Sequence, residues 1–210
     1  KEAFDKYLMQ AWNESIENVE ELQELLIRLV DAYHDKFGGK QISAKNQPVY
    51  NAAFVRKQAK EEGVDDSDTN YSSIAFMLEC GEHRIAMLGD AFADIIEETI
   101  DNKYKDQAKP MECDAIKVSH HGSNGNSSKT LLDRINSHIY FIPGGKGEKY
   151  PAWGTFGRIA EKHKDDQAKL IVFSRLCTIT EKMNGLNEEV KRELGVETII
   201  TEQEYELFEW

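Results

Sequence analysis

The chain has 210 residues, of which 40% are apolar, and this is enough to bury the core of one sizeable domain or of two small ones. Its formal net charge of −12 argues against general electrostatic binding of nucleic acid, although a metal ion can supply local positive charge in a nuclease. The cysteines form no Cys-x-x-Cys pair, which argues against a thiolate zinc knuckle and favours reduced thiols in a cytoplasmic protein. No apolar run approaches the ~20 residues of a membrane span.

The N-terminal part of the chain is predicted to be helical. Apolar residues recur at helical spacing within residues 16–37, and the glycines at 38 and 39 end this pattern. A second helix is predicted over residues 49–62, followed by an acidic stretch over residues 65–70. That stretch lacks the glycine and the terminal glutamate of a calcium loop, so we interpret it as a solvated turn. We therefore assign residues 1–66 to a helical N-terminal segment.

Strand and helix patterns alternate through the remaining residues, 67–210. Apolar and polar positions alternate over residues 72–80, and a Gly-Glu turn connects them to a second strand at 83–88, which predicts a β-hairpin. Further strands are predicted at 115–119, 139–142, 170–173, 198–200 and 205–208. Further helices are predicted at 91–100, 130–135, 153–163 and 188–194. This order predicts an α/β domain with a mixed sheet and flanking helices.

Asp90 follows the second hairpin strand and Gly89, where a helix is predicted to begin. An isolated Gly-Asp at such a point is typical of a helix N-cap, in which the carboxylate accepts hydrogen bonds from free backbone N–H groups. The alternative is a carboxylate held at the edge of a sheet, where it is able to bridge two metal ions.

Two adjacent histidines, His120 and His121, end the next predicted strand. Because successive strand residues point to opposite sides, we expect one imidazole to bind a metal ion and the other to contact substrate. The Gly-Ser-Asn-Gly-Asn sequence that follows permits a tight turn close to a ligand. The neutral side chains of Ser123, Asn124 and Asn126 in this turn are suited to binding phosphate oxygens.

Several motifs in one order resemble the C-terminal half of the metallo-β-lactamase superfamily. The most similar branch contains the hydrolase domain of bacterial DNA-uptake channels. The matching motifs are Asn70-Tyr71-Ser72-Ser73-Ile74, Leu88-Gly89-Asp90, Lys117-Val118-Ser119-His120-His121-Gly122-Ser123, Gly144-Gly145 and Tyr150-Pro151-Ala152-Trp153. The resemblance runs from residue 70 to residue 158, and it implies that residues 67–210 form half of an αββα sandwich.

The resemblance also implies roles for individual residues. Asp90 is similar to the family's metal-bridging aspartate, and His120 to its last metal-binding histidine. His121 would be a catalytic residue on the substrate side, although two adjacent histidines leave open which of them is the ligand. Family members commonly carry His-Pro where this chain has Tyr150-Pro151, so an imidazole that would contact substrate is replaced.

The family's defining His-x-His-x-Asp-His cluster has no counterpart in the sequence. His34-Asp35 is a distant partial match to this cluster, but it lies within the first predicted helix and is interpreted as a surface pair. A catalytic zinc takes three protein ligands and a water, so Asp90 and His120 alone are too few. The resemblance therefore implies a fragment or subunit of a metal-dependent hydrolase of phosphodiester-type substrates, such as nucleotides or nucleic acid. Zinc or manganese is expected in the intact protein and is not expected to bind tightly to this chain alone.

A catalytically inactive module with a binding or regulatory role is the alternative interpretation. In either case, one half of a sandwich exposes a sheet face that is normally buried. We expect this face to be covered by the missing N-terminal half, by a second copy of the chain, or by the chain's own helix at residues 16–37. A large exposed apolar patch would indicate an unfilled interface.

Overall fold

A computed structural model describes residues 49–105, 110–144, 149–162 and 167–201. The chain divides into two units, Lys1–Val49 and Tyr50–Trp210, and the described helices and strands belong to the second unit. The helix predicted over residues 16–37, the His34-Asp35 pair and the strand predicted over residues 205–208 lie outside the described residues.

The described part of the second unit contains helices and strands in mixed order. In chain order they are α1 (Ala52–Gln58), α2 (Asp68–Tyr71), β1 (Phe76–Cys80), β2 (His83–Met87), α3 (Ala93–Lys103), β3 (Met111–Glu112), β4 (Ala115–Lys117), α4 (Lys129–Arg134), β5 (Ile135–Asn136), β6 (Ile139–Ile142), α5 (Trp153–Ala160), β7 (Lys169–Phe173), α6 (Thr178–Asn184), α7 (Glu188–Leu194) and β8 (Val196–Ile200).

A six-stranded sheet in the order β1-β2-β4-β6-β7-β8 forms the centre of this unit. The predicted hairpin is its first pair and is antiparallel, with Cys80 opposite His83. Every later pair is parallel, as expected for strands that are connected through helices. A separate parallel pair joins β3 to β5. The predicted α/β class, with a mixed sheet and flanking helices, is therefore confirmed.

One face of the sheet forms the main core with the helices. Ala86, Ile116, Tyr140 and Ile171 lie side by side across four strands, and each is at most 1% exposed. They belong to one apolar cluster together with side chains of every helix except α2. Burying apolar surface in this cluster is the main stabilisation of the layer arrangement.

The opposite face of the sheet is mostly apolar, with Phe76, Met87, Phe141 and Val172 in one register row that Lys117 interrupts. A sheet that is apolar on both faces requires a cover on both. Exposed apolar side chains concentrate at the hairpin end, where Ile74, Phe76 and Leu78 are 77%, 53% and 50% exposed.

Helix α1 is shorter than the helix predicted over residues 49–62. It begins after Asn51, whose side chain accepts a hydrogen bond from the Phe54 N–H, and its C-cap is Ala59. The backbone beyond it is bound by the buried side chain of Arg158, which donates to the carbonyls of Ala59 and Glu61. Residues 50–66, which the sequence pattern assigns to the helical N-terminal segment, thus belong to the same unit as the sheet.

Candidate functional site

The candidate residues lie beyond the carboxyl ends of two neighbouring parallel strands, β2 and β4. Asp90 follows β2, and His120 follows β4. A backbone hydrogen bond of 3.1 Å from the His120 N–H to the Gly89 carbonyl joins the two segments. Ligand sites of open α/β sheets form at this edge, because the loops that leave adjacent strands meet there.

The two histidines occupy a strained turn that begins three residues after the end of β4. His120 and His121 have φ angles of 41° and 51°, and Gly122 follows at 76°. The left-handed region costs a residue with a side chain about 1–2 kcal/mol, and such conformations concentrate at functional sites. The turn separates the two imidazoles, whose ring centroids are 5.9 Å apart.

A buried carboxylate anchors the His120 ring. The His120 Nδ1 atom lies 3.0 Å from Oδ2 of Asp65, whose side chain is 9% exposed. The same Oδ2 accepts hydrogen bonds of 2.7 Å from the side-chain amides of Asn70 and Asn126. Asn126 also presents its Oδ1 at 3.1 Å from His120 Nδ1, while its Nδ2 donates to the carbonyl of Asp90.

This arrangement favours one tautomer of His120. Two acceptor oxygens, of Asp65 and Asn126, lie beside Nδ1, and the one donor there, the Asn70 amide at 3.1 Å, already donates to Asp65. A proton on Nδ1 satisfies the two acceptors and leaves Nε2 as the basic nitrogen. Burial alone would raise the pKa of the Asp65 carboxyl. Hydrogen bonds from the two amides, the Ser67 N–H and the imidazole outweigh burial and lower the pKa of Asp65 to about 2. The carboxylate is therefore ionised at neutral pH and holds the ring orientation.

Asp90 is not a helix N-cap. Helix α3 begins at Ala93 with Phe92 as its N-cap, because the chain first makes a turn in which the Ala91 N–H donates to the Leu88 carbonyl. The Asp90 carboxylate, with a side chain 39% exposed, lies 3.6 Å from the ammonium of Lys117 at Oδ1. Burial lowers the pKa of Lys117, and the neighbouring Asp90 opposes this shift.

His121 is anchored independently of His120. Its Nδ1 lies 3.3 Å from the Pro143 carbonyl, which is an acceptor, so Nδ1 donates and Nε2 is again the basic nitrogen. The ring of Tyr150 lies beside both imidazoles, with centroids 5.2 Å from His120 and 6.4 Å from His121. Tyr150 therefore lies next to both imidazoles.

The three predicted substrate-binding side chains make hydrogen bonds within the protein. Asn126 is fully buried and orients His120. The Oδ1 of Asn124 accepts from Arg158, and the Ser123 Oγ accepts from the Gly125 N–H at 3.3 Å. Of these three, the structure brings Asn126 into direct contact with the predicted histidine ligand.

Two residues at this edge were not identified as site residues from the sequence. The sequence predicts a solvated turn over residues 65–70, and Asp66, Asp68 and Thr69 are exposed, but the Asp65 carboxylate contacts His120. The sequence indicates Tyr150 solely as a replacement within the resembling motif. Asn70 belongs both to the matching motif and to the acidic stretch at residues 65–70. This overlap is the signal in the sequence that could have identified Asp65 as a site residue.

The donor set is smaller than a zinc centre requires. His120 Nε2 and the Asp90 carboxylate are suited to binding a cation. However, the described residues contain no group of three or more His, Cys, Asp or Glu side chains arranged to hold a metal ion. A centre with three protein ligands does not fit these residues by themselves.

Comparison with protein-family models, curated proteins and solved structures gives no match for the chain. Among the residues that the structure describes, no helix is both long and apolar enough to span a lipid bilayer.

Gly89 places Asp90, and its replacement by alanine tests this role. Gly89 has a φ of 56°, and an added Cβ would lie 2.6 Å from the Ile74 carbonyl oxygen and 2.7 Å from the Ser73 Oγ. That hydroxyl also accepts from the Asp90 N–H. We expect Gly89→Ala to lower the free energy of unfolding by about 2–4 kcal/mol, from backbone strain plus overpacking, measured by urea denaturation.

The matched control is Gly81→Ala at the hairpin turn. Gly81 has a φ of 63°, but nothing lies within 4 Å of its added Cβ. This variant should lose about 1 kcal/mol from backbone strain alone. Equal losses in the two variants would show that the contact between Ser73 and the Gly89 turn does not constrain Asp90.

Proposed function

We propose that this chain forms the C-terminal wall of the active site of a metal-dependent hydrolase that acts on phosphodiester-type substrates. The observation that supports this most directly is the carboxylate-anchored imidazole of His120 beside Asp90 at the carboxyl ends of the parallel strands. Anchoring Nδ1 on an acceptor is how proteins orient a histidine that binds metal through Nε2. In this proposal His120 and Asp90 are metal ligands, and His121 acts on the substrate side.

Two further features support a functional site at this edge. Lys117 places an ammonium group beside the candidate ligands, in a chain whose net charge is −12, and this favours an anionic substrate. The positive φ angles of His120 and His121 are a strained conformation of the kind that concentrates at functional sites.

The remaining metal ligands are proposed to come from protein outside the described residues. Zinc or manganese would then bind at the interface with a partner, either the missing half of the fold or a second copy of the chain. The exposed apolar side chains of Ile74, Phe76 and Leu78 near this edge support a protein partner, since exposed apolar clusters mark interaction surfaces.

An inactive binding or regulatory module is the second candidate. The Lys117–Asp90 ion pair favours it, because the ammonium neutralises the carboxylate without a metal ion. In that case the site would bind a ligand through its histidines and would not hydrolyse it.

Metal titration of this chain tests the assignment of ligands. We expect Zn²⁺ and Mn²⁺ to bind weakly, and we expect His120→Gln and Asp90→Asn each to weaken binding by about tenfold or more in calorimetry. The control is His83→Gln, because the side chain of His83 is 61% exposed and pairs with Asp114. Identical affinities for all variants would remove His120 and Asp90 as ligands.

Turnover by the native protein separates the two candidate functions. Bis(p-nitrophenyl) phosphate with Mn²⁺ is the probe. The hydrolase proposal predicts release of nitrophenol that is lost in His120→Gln and Asp90→Asn at unchanged stability. Absence of turnover, together with metal binding that depends on both residues, would support the inactive module and overturn the hydrolase proposal.

A further inference from the structure

Lys117 is a cationic residue in an otherwise apolar part of the sheet. Its register neighbours are Met87 on β2 and Phe141 on β6, which belong to the apolar row that Lys117 interrupts. The side chain of Lys117 is 21% exposed, so most of it is removed from water. Because an ammonium loses hydration when it is buried, it requires polar partners within the protein.

The polar contacts of Lys117 in the described part of the chain lie in the turn that presents Asp90. Its ammonium donates to the Gly89 carbonyl at 2.5 Å and lies 3.6 Å from Oδ1 of Asp90. The same Gly89 carbonyl accepts a hydrogen bond of 3.1 Å from the His120 N–H. The ammonium therefore lies at the junction of the two segments that carry the candidate metal ligands.

The Lys117–Asp90 pair is less exposed to water than an ordinary surface ion pair. Its side chains are 21% and 39% exposed, whereas those of the surface pair Lys129 and Asp133 are 68% and 52% exposed. Water screens the attraction between charges, so the Lys117–Asp90 attraction is screened less than the surface pair. The Gly89 carbonyl also holds the ammonium in place, so the positive charge is fixed beside the Asp90 carboxylate.

We propose that the ammonium of Lys117 competes with divalent metal ions for the Asp90 carboxylate and so keeps the metal affinity of this chain low. The inference rests on the proposed function, in which Asp90 is a metal ligand. A metal ion at that carboxylate has to approach the ammonium, and like charges close together repel each other. The small donor set also weakens metal binding, but that cause is separate, because a substitution of Lys117 leaves the donor set unchanged.

Calorimetric titration of Lys117→Met with Mn²⁺ tests this inference. Methionine is a long apolar side chain that suits a position between Met87 and Phe141, so we expect the variant to fold. We expect it to bind Mn²⁺ about tenfold more tightly than the unsubstituted chain, because one repelling charge is removed. Lys117→Gln removes the same charge and should show the same gain, so it keeps the test valid if Lys117→Met fails to fold.

Three controls assign the gain to the charge beside Asp90. Lys117→Arg keeps the positive charge and should bind Mn²⁺ as weakly as the unsubstituted chain. Lys129→Met removes a lysine charge at an exposed position and should leave the affinity unchanged. In the double variant Lys117→Met/Asp90→Asn the gain should disappear, because the carboxylate for which the two cations compete is absent.

Several results would overturn the inference. They are an unchanged Mn²⁺ affinity in both Lys117→Met and Lys117→Gln, an equal gain in Lys129→Met, and a gain that persists in the double variant. Failure of the proposed function gives a different result. If Asp90→Asn weakens Mn²⁺ binding and Lys117→Met leaves it unchanged, this inference fails and Asp90 remains a ligand. If Asp90→Asn changes the affinity neither alone nor together with Lys117→Met, Asp90 is not a ligand and both proposals fail.

Discussion

Replacing Arg158 with methionine is expected to lower the free energy of unfolding by about 2–4 kcal/mol, measured by urea denaturation. Arg158 is 4% exposed, and its guanidinium donates to carbonyl groups of two separate segments, residues 59–61 and 124–127. Its acceptors are the backbone carbonyls of Ala59, Glu61, Asn124 and Ser127 and the side-chain Oδ1 of Asn124. Methionine retains most of the side-chain volume but leaves these acceptors without their donor.

Two variants control for the loss of an arginine. Arg56→Met removes an arginine whose side chain is 42% exposed and which pairs with Glu193, so it should cost at most about 1 kcal/mol. Arg158→Lys keeps the charge but not the planar fork, and we expect it to be nearly as destabilising as Arg158→Met. If Arg56→Met and Arg158→Met lowered the free energy of unfolding equally, the buried guanidinium of Arg158 would not be what holds residues 59–61 and 124–127 together.

The Arg158 variants should also loosen the histidine edge. The residues on either side of Asn126 are bound by Arg158, and Asn126 orients His120. Hydrogen exchange in the folded protein should therefore accelerate over residues 122–127 and 59–61 in Arg158→Met, with the central strands little changed.

Replacing Asp65 with alanine is the second change with a large expected effect. Three donors and the His120 imidazole would lose their common acceptor, so we expect a loss of about 2–3 kcal/mol in the free energy of unfolding. We also expect the metal affinity of the proposed site to fall by about 10–100-fold, the usual cost of removing a ligand's supporting partner.

Nitrogen NMR of His120 reports the tautomer of its ring. This tautomer would not change in Asp65→Ala if Asp65 only stabilised the fold. In the unsubstituted chain the proton should be on Nδ1, and in Asp65→Ala the ring should shift toward the Nε2–H tautomer. Asp66→Ala is the matched control, since Asp66 is the exposed neighbour. An unchanged tautomer in Asp65→Ala would contradict the anchoring role.

The stabilisation by Asp65 should depend on pH in a defined window. Because the pKa of the folded carboxyl, about 2, lies below its ordinary value of 3.8, the contribution is fully present above about pH 4–5. It is lost as the pH falls toward 2. The difference in stability between Asp65→Ala and the unsubstituted chain should narrow over the same window.

The sheet was predictable from sequence because local patterns determine it. The alternation over residues 72–80 corresponds to β1, which is observed over Phe76–Cys80, and the Gly-Glu turn connects it to β2. The short apolar runs at 139–142 and 170–173 correspond to β6 and β7. The order of strands and helices in turn predicted the mixed sheet. Helix α6 was not predicted, since its seven residues include the β-branched Thr178, Ile179 and Thr180 and so show little helical preference.

The site was predictable in part for a different reason. Asp90, His120 and His121 lie at the ends of predicted strands, and this position can be recognised from the sequence alone. Asp65 is 55 residues from His120 in sequence, and pairing at that distance depends on how the loop after α1 returns to the sheet. Arg158 fixes the path of this loop by binding the Glu61 carbonyl. Gly63 also fixes it, because a Cβ added there would lie 2.9 Å from the Gly125 nitrogen. Both contacts join residues far apart in sequence, so no local sequence pattern predicts them.

The backbone at the two histidines has a consequence for how this protein would respond to engineering. Substitutions chosen to raise thermal stability would favour glycine or asparagine at positions 120 and 121. Glycine and asparagine adopt a positive φ at a lower free-energy cost than histidine. Such a design would relieve the backbone strain but would remove both imidazoles. At this turn, optimising stability and retaining chemistry therefore require opposite residues.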